Sequence, residues 1–164
     1  MSLSGEGTDP AGDGGVADLV FASFEVIGSN MRVRAEATAG TFHPDSLLMT
    51  FNLDTDESAL TGYTTINPGH VGMGIDCFVE LGKYTTQIRG ARVRRWVNGT
   101  AIPTWTGEVT VLVNGYEATM PLSACQDDGR AVFRADAFRQ VGDIGTTVRQ
   151  DWLPDPPGAP IAVR

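Results

Sequence analysis

The amino-acid sequence predicts an all-β protein, an antiparallel sandwich or barrel of about nine short strands. Three observations lead to this prediction. Apolar and polar residues alternate over many short segments, which is the period of half-buried strands. Turn signals rich in Gly, Pro, Asn and Asp separate these segments at intervals of about 8–12 residues. No segment carries the sustained i, i+3, i+4, i+7 apolar pattern of an amphipathic helix.

Alternation is clearest in the first half of the chain. Within residues 31–37, apolar side chains occupy the odd positions and charged side chains the even ones. An apolar strand over 20–27 precedes them, and 47–53 and 75–81 each place apolar residues on one face. The long loop 55–74 joins the last two segments. Loops of this length in compact domains tend to be functional or fixed by a ligand.

The second half of the chain carries weaker strand patterns and two turn signals. Asn98-Gly99 and Asn114-Gly115 are both hairpin signals, because Asn and Gly tolerate the positive φ of a type I′ turn. Alternating apolar residues make the second signal the stronger one. The remaining predicted strands are 84–88, 92–97, 109–113, 116–120, 131–138 and 146–152.

The chain of 164 residues suits one domain and is long enough to bury a core. We expect a disordered leader over 1–17, the β domain over 18–155 and a Pro-rich tail over 156–164. The net charge of −8 argues against a nucleic-acid partner, since nucleic acids are held by Lys and Arg on phosphates. Acidity suits either a cation ligand or a solvated surface. No run approaches the roughly 18 apolar residues of a membrane span.

Three carboxylates are the strongest candidates for a functional site. Asp54 and Asp56 flank Thr55 at the end of a strand, so their side chains point the same way in extended backbone. Asp76 begins the next strand on the face opposite its apolar residues. If these strands pair, the carboxylates converge into oxygen ligands of the kind that Ca²⁺ prefers. The alternative is that Asp54 and Asp56 only cap the turn.

Two aromatic residues adjoin acidic segments and are the best candidates for stacking on a sugar ring. They are Tyr63, after the first acidic loop, and Trp152, beside Asp151. Packing in the core or at an edge is the alternative for both. Asp151 and Asp155 form a second acidic pair, for which ordinary loop acids before proline are the favoured interpretation.

The cysteines and histidines leave alternatives open. Cys77 and Cys125 allow one disulfide or two buried thiols, and their spacing does not decide between them. Cys77 falls on the predicted core face. His43 and His70 could serve a hydrolase together with a serine, although the chain has no G-x-S-x-G nucleophile elbow.

A series of short motifs runs along the chain in a distinctive order. The motifs are Leu53-Asp54-Thr55-Asp56, Thr61-Gly62, Gly74-Ile75-Asp76, an Asn-Gly hairpin, Pro121-Leu122-Ser123, Asp127-Asp128-Gly129, and Asp151 with Pro154-Asp155. Over residues 18–155 this order resembles a β-sandwich module of bacterial extracytoplasmic proteins, similar to family 9 carbohydrate-binding modules and DOMON-like domains. Cys77 stands where that family usually has an aromatic residue.

The resemblance implies a two-sheet, jelly-roll-like sandwich, structural calcium held by Asp54, Asp56 and Asp76, and ligand binding rather than catalysis. We therefore expect an exported, non-enzymatic binding module, with carbohydrate or a cell-surface component as its partner. The alternatives are a structural or interaction module of a larger surface protein without a small ligand, and a hydrolase.

Overall fold

The computed structural model describes residues 2–14, 17–64, 72–83, 89–125, 128–141 and 146–164. Its strands are β1 (Ser4–Thr8), β2 (Leu19–Ile27), β3 (Asn30–Ala37), β4 (Leu47–Asp54), β5 (Cys77–Lys83), β6 (Arg89–Val97), β7 (Thr100–Gly107), β8 (Thr110–Val111), β9 (Gly115–Pro121), β10 (Ala131–Val141), β11 (Thr146–Leu153) and β12 (Ile161–Val163). The described residues contain one further regular element, a single 3-10 turn over Leu122–Ala124. None of their helices is long and apolar enough to cross a membrane. The predicted all-β class is confirmed, with twelve strands in place of about nine.

The strands form two antiparallel sheets. The smaller sheet has five strands in the order β1-β2-β3-β9-β8. The larger sheet has seven, in the order β11-β10-β4-β5-β6-β7, and β12 also pairs with β10. The inner faces of both sheets contribute to one hydrophobic core, which is the arrangement of a β-sandwich. The predicted segment 84–88 lies outside the described residues.

The core is built from the apolar positions that alternation predicts. Val33 of β3 and Phe51 of β4 are fully buried. Phe24 of the smaller sheet meets Phe133 of the larger sheet with ring centroids 6.4 Å apart, and Phe51 lies 5.5 Å from the same ring. Full burial of such a side chain contributes about 1.5–3 kcal/mol, so these rings are a main attraction between the sheets.

Strand β4 lies at the centre of the larger sheet, between β10 and β5. Its register with β5 places Leu53 opposite Cys77, and the backbone N–H of Asp76 donates to Leu53 at 2.9 Å. All eight residues of β4 are buried, on its outer face as well as its inner face. The outer face of a strand in an antiparallel sandwich is normally solvated, so the burial of the outer face of β4 is unusual.

The two Asn-Gly turn signals have different outcomes. Asn98 and Gly99 adopt φ values of 49° and 80° between β6 and β7, which confirms the first hairpin. The second signal also predicts a hairpin that is present, since β8 pairs with β9, but the turn is not at Asn114-Gly115, because Gly115 is already the first residue of β9. A Cβ on Gly115 would lie 2.0 Å from the carbonyl oxygen of Ala35. Glycine is therefore required there for close strand packing rather than for the turn.

Two strands lie in segments that the sequence analysis excludes from the domain. The predicted disorder of 1–17 is wrong for Ser4–Thr8, which pairs with β2 as β1. The predicted tail 156–164 contains β12, and Ser4 and Arg164 exchange backbone hydrogen bonds of 3.1 and 3.2 Å. Strand β1 needs glycine because a Cβ on Gly5 would come within 2.5 Å of the Ala162 carbonyl oxygen. Glycine here permits close packing, although its abundance suggested disorder.

A disulfide joins Cys77 and Cys125, which decides the question that the spacing left open. Both residues are buried. The bond ties β5 of the larger sheet to the chain that leaves β9 of the smaller sheet, across 48 residues of sequence. A cross-link of this kind stabilises a fold by about 2–4 kcal/mol, mainly because it restricts the unfolded chain.

Candidate binding cleft and acidic loop

The outer face of the larger sheet holds a cavity of about 350 Å³, which we call the outer cleft. Strands β4, β5, β6, β7 and β10 supply its floor, and Tyr63 closes one side. Its aromatic lining consists of Tyr63, Phe78, Trp96 and Phe138. Its polar lining consists of Thr50, Asn52, Glu80, Arg94 and Asp136. The cleft therefore combines apolar ring surfaces with hydrogen-bonding groups.

The floor of the outer cleft is a row of polar side chains on neighbouring strands. Asp136, Thr50 and Glu80 lie directly opposite one another on β10, β4 and β5, so they share the outer face. Their exposed fractions are only 1, 6 and 5%. Polar side chains are usually exposed, so buried polar side chains on the outer face of a sheet are unusual and informative. Here they lie at the base of a cavity.

Hydrogen bonds fix these polar groups in place. Glu80 accepts from Arg92 Nε at 2.6 Å, and from Arg94 Nη2 at 2.7 Å and Nε at 3.1 Å. Asn52 donates from Nδ2 to Asp136 Oδ2 at 2.9 Å. The polar floor is thus ordered by the protein before any ligand enters, which lowers the entropy lost on binding.

Aromatic rings form one wall of the outer cleft. Tyr63 meets Trp96 edge to face with centroids 4.8 Å apart, and Phe78 at 6.0 Å. Two backbone hydrogen bonds between Tyr63 and Ile75, of 2.7 and 3.0 Å, hold Tyr63 there. Trp152, the second aromatic candidate, lies opposite Asp136 on β11 and is half-buried, but it is not part of the lining. A ligand contact remains a prediction for both candidates.

The loop that leads to Tyr63 begins with the predicted carboxylates. Asp54, Asp56 and Asp76 lie together, with one oxygen of each within 4.8 Å of the others. Asp54 ends β4 and is buried, Asp76 precedes β5 and is half-buried, and Asp56 is exposed. The antiparallel pairing of β4 with β5 brings them together, as the alternation argument requires. We call residues 54–62 with Asp76 the acidic loop.

Hydrogen bonds within the acidic loop hold it against the sheet. Asp54 accepts from the backbone N–H groups of Ser58 at 3.0 Å and Gly74 at 3.1 Å. Asp76 accepts from the backbone N–H of Thr55 at 2.9 Å. These bonds are those expected of a capped turn. Carboxylate oxygens offer about four acceptor sites per group, so the same side chains retain capacity for a cation.

The chemistry of the acidic loop fits a hard cation. All its side-chain ligands are oxygens, the type that Ca²⁺ takes. In the part of the chain that the structure describes, none of the three carboxylates forms an ion pair with Lys or Arg. Burial raises the pKa of Asp54 and the carboxylates of Asp76 and Asp56 raise it further, against hydrogen bonds that lower it. A bound cation would neutralise this repulsion.

A second group of carboxylates forms where the N-terminal segment meets β11. Asp9, Asp151 and Asp155 lie within 4.8 Å of one another, as do Asp13, Asp18 and Asp151. Burial raises the pKa of Asp151 to about 7 and that of Asp9 to about 6. The sequence analysis identified Asp151 with Asp155, but not the acids that the N-terminal segment brings to them.

No family model, no curated protein and no solved structure matches the chain. The resemblance to family 9 carbohydrate-binding modules and DOMON-like domains therefore remains a prediction. For the hydrolase alternative, His43 is exposed and His70 lies outside the described residues.

The sequence analysis missed the polar floor of the outer cleft. Asn52 and Glu80 fall within the predicted strands 47–53 and 75–81, and Arg94 within 92–97, but nothing in the sequence pattern predicts a functional role for them. The usable signal is the outward-facing polar residues of β4, a strand that has partners on both sides. The cavity above them depends on how five strands are aligned, which no local pattern encodes.

Proposed function

We propose that this protein is a non-enzymatic binding module that holds a carbohydrate in the outer cleft, with a structural calcium ion in the acidic loop. The observation that carries the proposal is the buried row of Asp136, Thr50 and Glu80 beneath aromatic side chains on the outside of the sheet. Small-molecule sites combine apolar lining with a few fixed polar groups in this way.

Sugars match both parts of the lining. A sugar ring presents C–H groups on its faces, which pack on rings such as Trp96, and hydroxyl groups on its edge, which bond to groups such as Asn52. The cavity of about 350 Å³ is near the lower end of the roughly 300–1,000 Å³ range of ligand pockets, which suits one or two sugar rings. Two carboxylates, Glu80 and Asp136, face one guanidinium, Arg94, in the lining, so the cleft favours a neutral sugar over an anionic one.

The calcium site would serve the cleft by fixing its wall. Asp54, Asp56 and Asp76 hold the loop that ends at Tyr63, and Tyr63 packs on Trp96. A cation bound by the three carboxylates would restrain this loop from both ends. Calcium is therefore assigned a structural role, with no contact to the sugar.

Two further observations support an exported, non-catalytic protein. The Cys77–Cys125 disulfide is typical of oxidising compartments outside the cytoplasm. Glu80, a carboxylate in the cleft, accepts three hydrogen bonds from two arginines, which occupy both of its oxygens and favour a structural role for it.

The second candidate is an interaction module of a larger surface protein with no small ligand. It is favoured by Val97 and Ile102, apolar residues that are 39 and 44% exposed near the β6–β7 turn. Such a module would leave the outer cleft without a sugar ligand, so the same experiment separates the two candidates.

Titration calorimetry with soluble oligosaccharides tests the proposal. The probes are xylotetraose, cellotetraose and mannotetraose as neutral chains, and tetragalacturonate as an anionic one. We expect binding of at least one neutral chain, its loss in Trp96→Ala, and its retention in Phe21→Ala, which removes an aromatic ring from the outer face of the other sheet. Absence of binding to every probe at millimolar concentration, by folded protein, would overturn the sugar-binding proposal.

A further inference from the structure

We propose that Arg94 selects the ligand of the outer cleft by donating to two adjacent hydroxyl oxygens of a neutral sugar, and that Glu80 is the positioning residue that holds Arg94 for this task. The inference rests on the proposed function and names the chemical group that the cleft recognises. It is carried by the geometry of one guanidinium group.

Arg94 lies in the lining with donors to spare. A guanidinium group carries five N–H donors in a fixed plane. Two of them bond to Glu80, from Nε and Nη2. Among the described residues no other protein acceptor takes the remaining three, and the side chain is 29% exposed. The free edge of the guanidinium is therefore available to a molecule in the cleft.

The orientation of Arg94 is fixed from two sides. Both carboxylate oxygens of Glu80 accept hydrogen bonds from one edge of the Arg94 guanidinium. The guanidinium carbon lies 5.4 Å from the centre of the Phe78 ring. Glu80 is itself held by Arg92 at 2.6 Å and is almost fully buried. A planar donor restrained in this way loses little entropy when it binds a ligand.

The plane and spacing of the donors define the ligand. Parallel N–H groups of a guanidinium bond side by side to a pair of neighbouring oxygens. A carboxylate offers such a pair, but the carboxylates of Glu80 and Asp136 in the same lining disfavour an anion. Two hydroxyl groups on adjacent sugar carbons offer the pair without charge.

The wall of the cleft supports the same assignment. Arg94 and Trp96 both line the cleft from β6, and residues two apart on one face of a strand lie about 7 Å from each other. A sugar ring packed on Trp96 would place hydroxyl groups of its edge beside Arg94. Trp96 thus holds the ring face, and Arg94 determines which hydroxyl arrangement is accepted.

A matched pair of arginine variants tests the inference. Arg94→Gln and Arg32→Gln each remove a guanidinium from a glutamate on the outer face of a sheet, but only Arg94 lines the outer cleft. The probes are xylotetraose, cellotetraose and mannotetraose, each with a deoxy form in which a pair of adjacent hydroxyl groups is replaced by hydrogen, in titration calorimetry. We expect Arg94→Gln to weaken binding about tenfold to hundredfold, and Arg32→Gln to leave it within about twofold.

Discrimination between the hydroxylated and the deoxy sugar gives the decisive readout. Wild type should bind the deoxy sugar more weakly by a factor similar to the effect of Arg94→Gln, and the variant should lose this preference. Arg94→Lys keeps the charge and loses the planar donor pair, so it should also lose the preference even if Arg94→Gln does not fold. Retention of the preference in a folded Arg94 variant would overturn the inference.

The positioning role of Glu80 is tested by combining variants. Glu80→Gln should weaken binding in the wild-type background and have no added effect in Arg94→Gln. An equal effect in both backgrounds would contradict the positioning role. If wild type binds a sugar and Trp96→Ala abolishes it while Arg94→Gln does not, the present inference fails and the proposed function stands. If wild type binds no probe, both fail.

Discussion

Tyr63 packs edge to face on Trp96 with ring centroids 4.8 Å apart, and this contact joins the acidic loop to the wall of the outer cleft. Tyr63 follows the loop that Asp54 and Asp76 hold against the sheet, and Trp96 belongs to β6. Changes in the acidic loop therefore reach the cleft through the Tyr63 ring, which contacts both Trp96 and Phe78.

Calcium should stabilise the protein against heat. A ligand that binds only the folded state at about 100 times its Kd adds about 2.7 kcal/mol to the free energy of unfolding. We expect the Tm to rise when calcium is added to metal-free protein, and Asp54→Asn with Asp76→Asn to reduce that rise. Glu108→Gln, which removes an exposed acid elsewhere, is the control. An unchanged Tm in wild type would exclude the structural calcium site.

Removing the Tyr63 ring should affect stability and binding together. Tyr63→Ala breaks ring contacts to Trp96 and Phe78, and such pairs contribute about 0.5–1.5 kcal/mol each. We expect urea denaturation to show a loss of about 1–3 kcal/mol, and calorimetry to show weaker sugar binding. Tyr63→Phe keeps the ring and should retain most of both. Wild-type affinity in the Tyr63→Ala variant would show that the Tyr63 ring does not contribute to sugar binding.

Stability should fall as the pH rises from about 4 to about 7 in calcium-free buffer. Burial raises the folded-state pKa of Asp151 to about 7, above its ordinary value of 3.8. The folded state therefore holds a proton that the unfolded state has already released, so the free energy of unfolding decreases with pH across this window. Thermal melts between pH 4 and pH 8 measure the slope, and a Tm that rises through the window would contradict the argument.

A substitution of Asp9 tests the repulsion within the same group of carboxylates. Its Oδ2 is buried and has no hydrogen-bond partner among the described residues, and burial raises its pKa to about 6. Asp9→Asn removes a charge and supplies an N–H₂ donor beside Asp151 and Asp155. We expect a higher Tm than wild type at pH 8 and little difference at pH 5. Equal shifts at both pH values would show that charge is not the cause.

The disulfide should make a large contribution to stability. Cys77→Ala with Cys125→Ala removes a cross-link between elements of the two sheets, and we expect a loss of about 2–4 kcal/mol in urea denaturation. Thiol labelling followed by mass spectrometry gives the chemical control. Wild-type protein should take up no label until a reductant is added. Labelling of folded protein without reductant would contradict the bond.

The core and the acidic loop could be predicted because their causes are local. Alternation places the apolar side chains at positions 47, 49, 51 and 53 on one face, and the same alternation places Asp54 on the other. Pairing of consecutive strands then brings Asp76 beside Asp54. These steps need only the period of a strand and the tendency of neighbours in sequence to pair.

The outer cleft could not be predicted, because its causes are distant in sequence. Asp136 and Thr50 meet through the pairing of β10 with β4, which links the two halves of the chain. The roles of two glycines could not be predicted for a related reason. Gly5 and Gly115 are required by close contacts with Ala162 and Ala35, and a single sequence does not reveal such contacts.

Both faces of β4 are buried, so one strand serves two opposed demands. Phe51 and its inner neighbours drive folding, whereas Asn52 keeps an amide buried on the other side, against the preference of polar groups for water. If variants are selected only for thermal stability, we expect Asn52 and Asp136 to be replaced simultaneously by two apolar residues. Such a variant should be more stable than wild type and should no longer bind its ligand. Under the proposed function, selection for stability and selection for ligand binding act on the same eight residues, from opposite sides of the backbone.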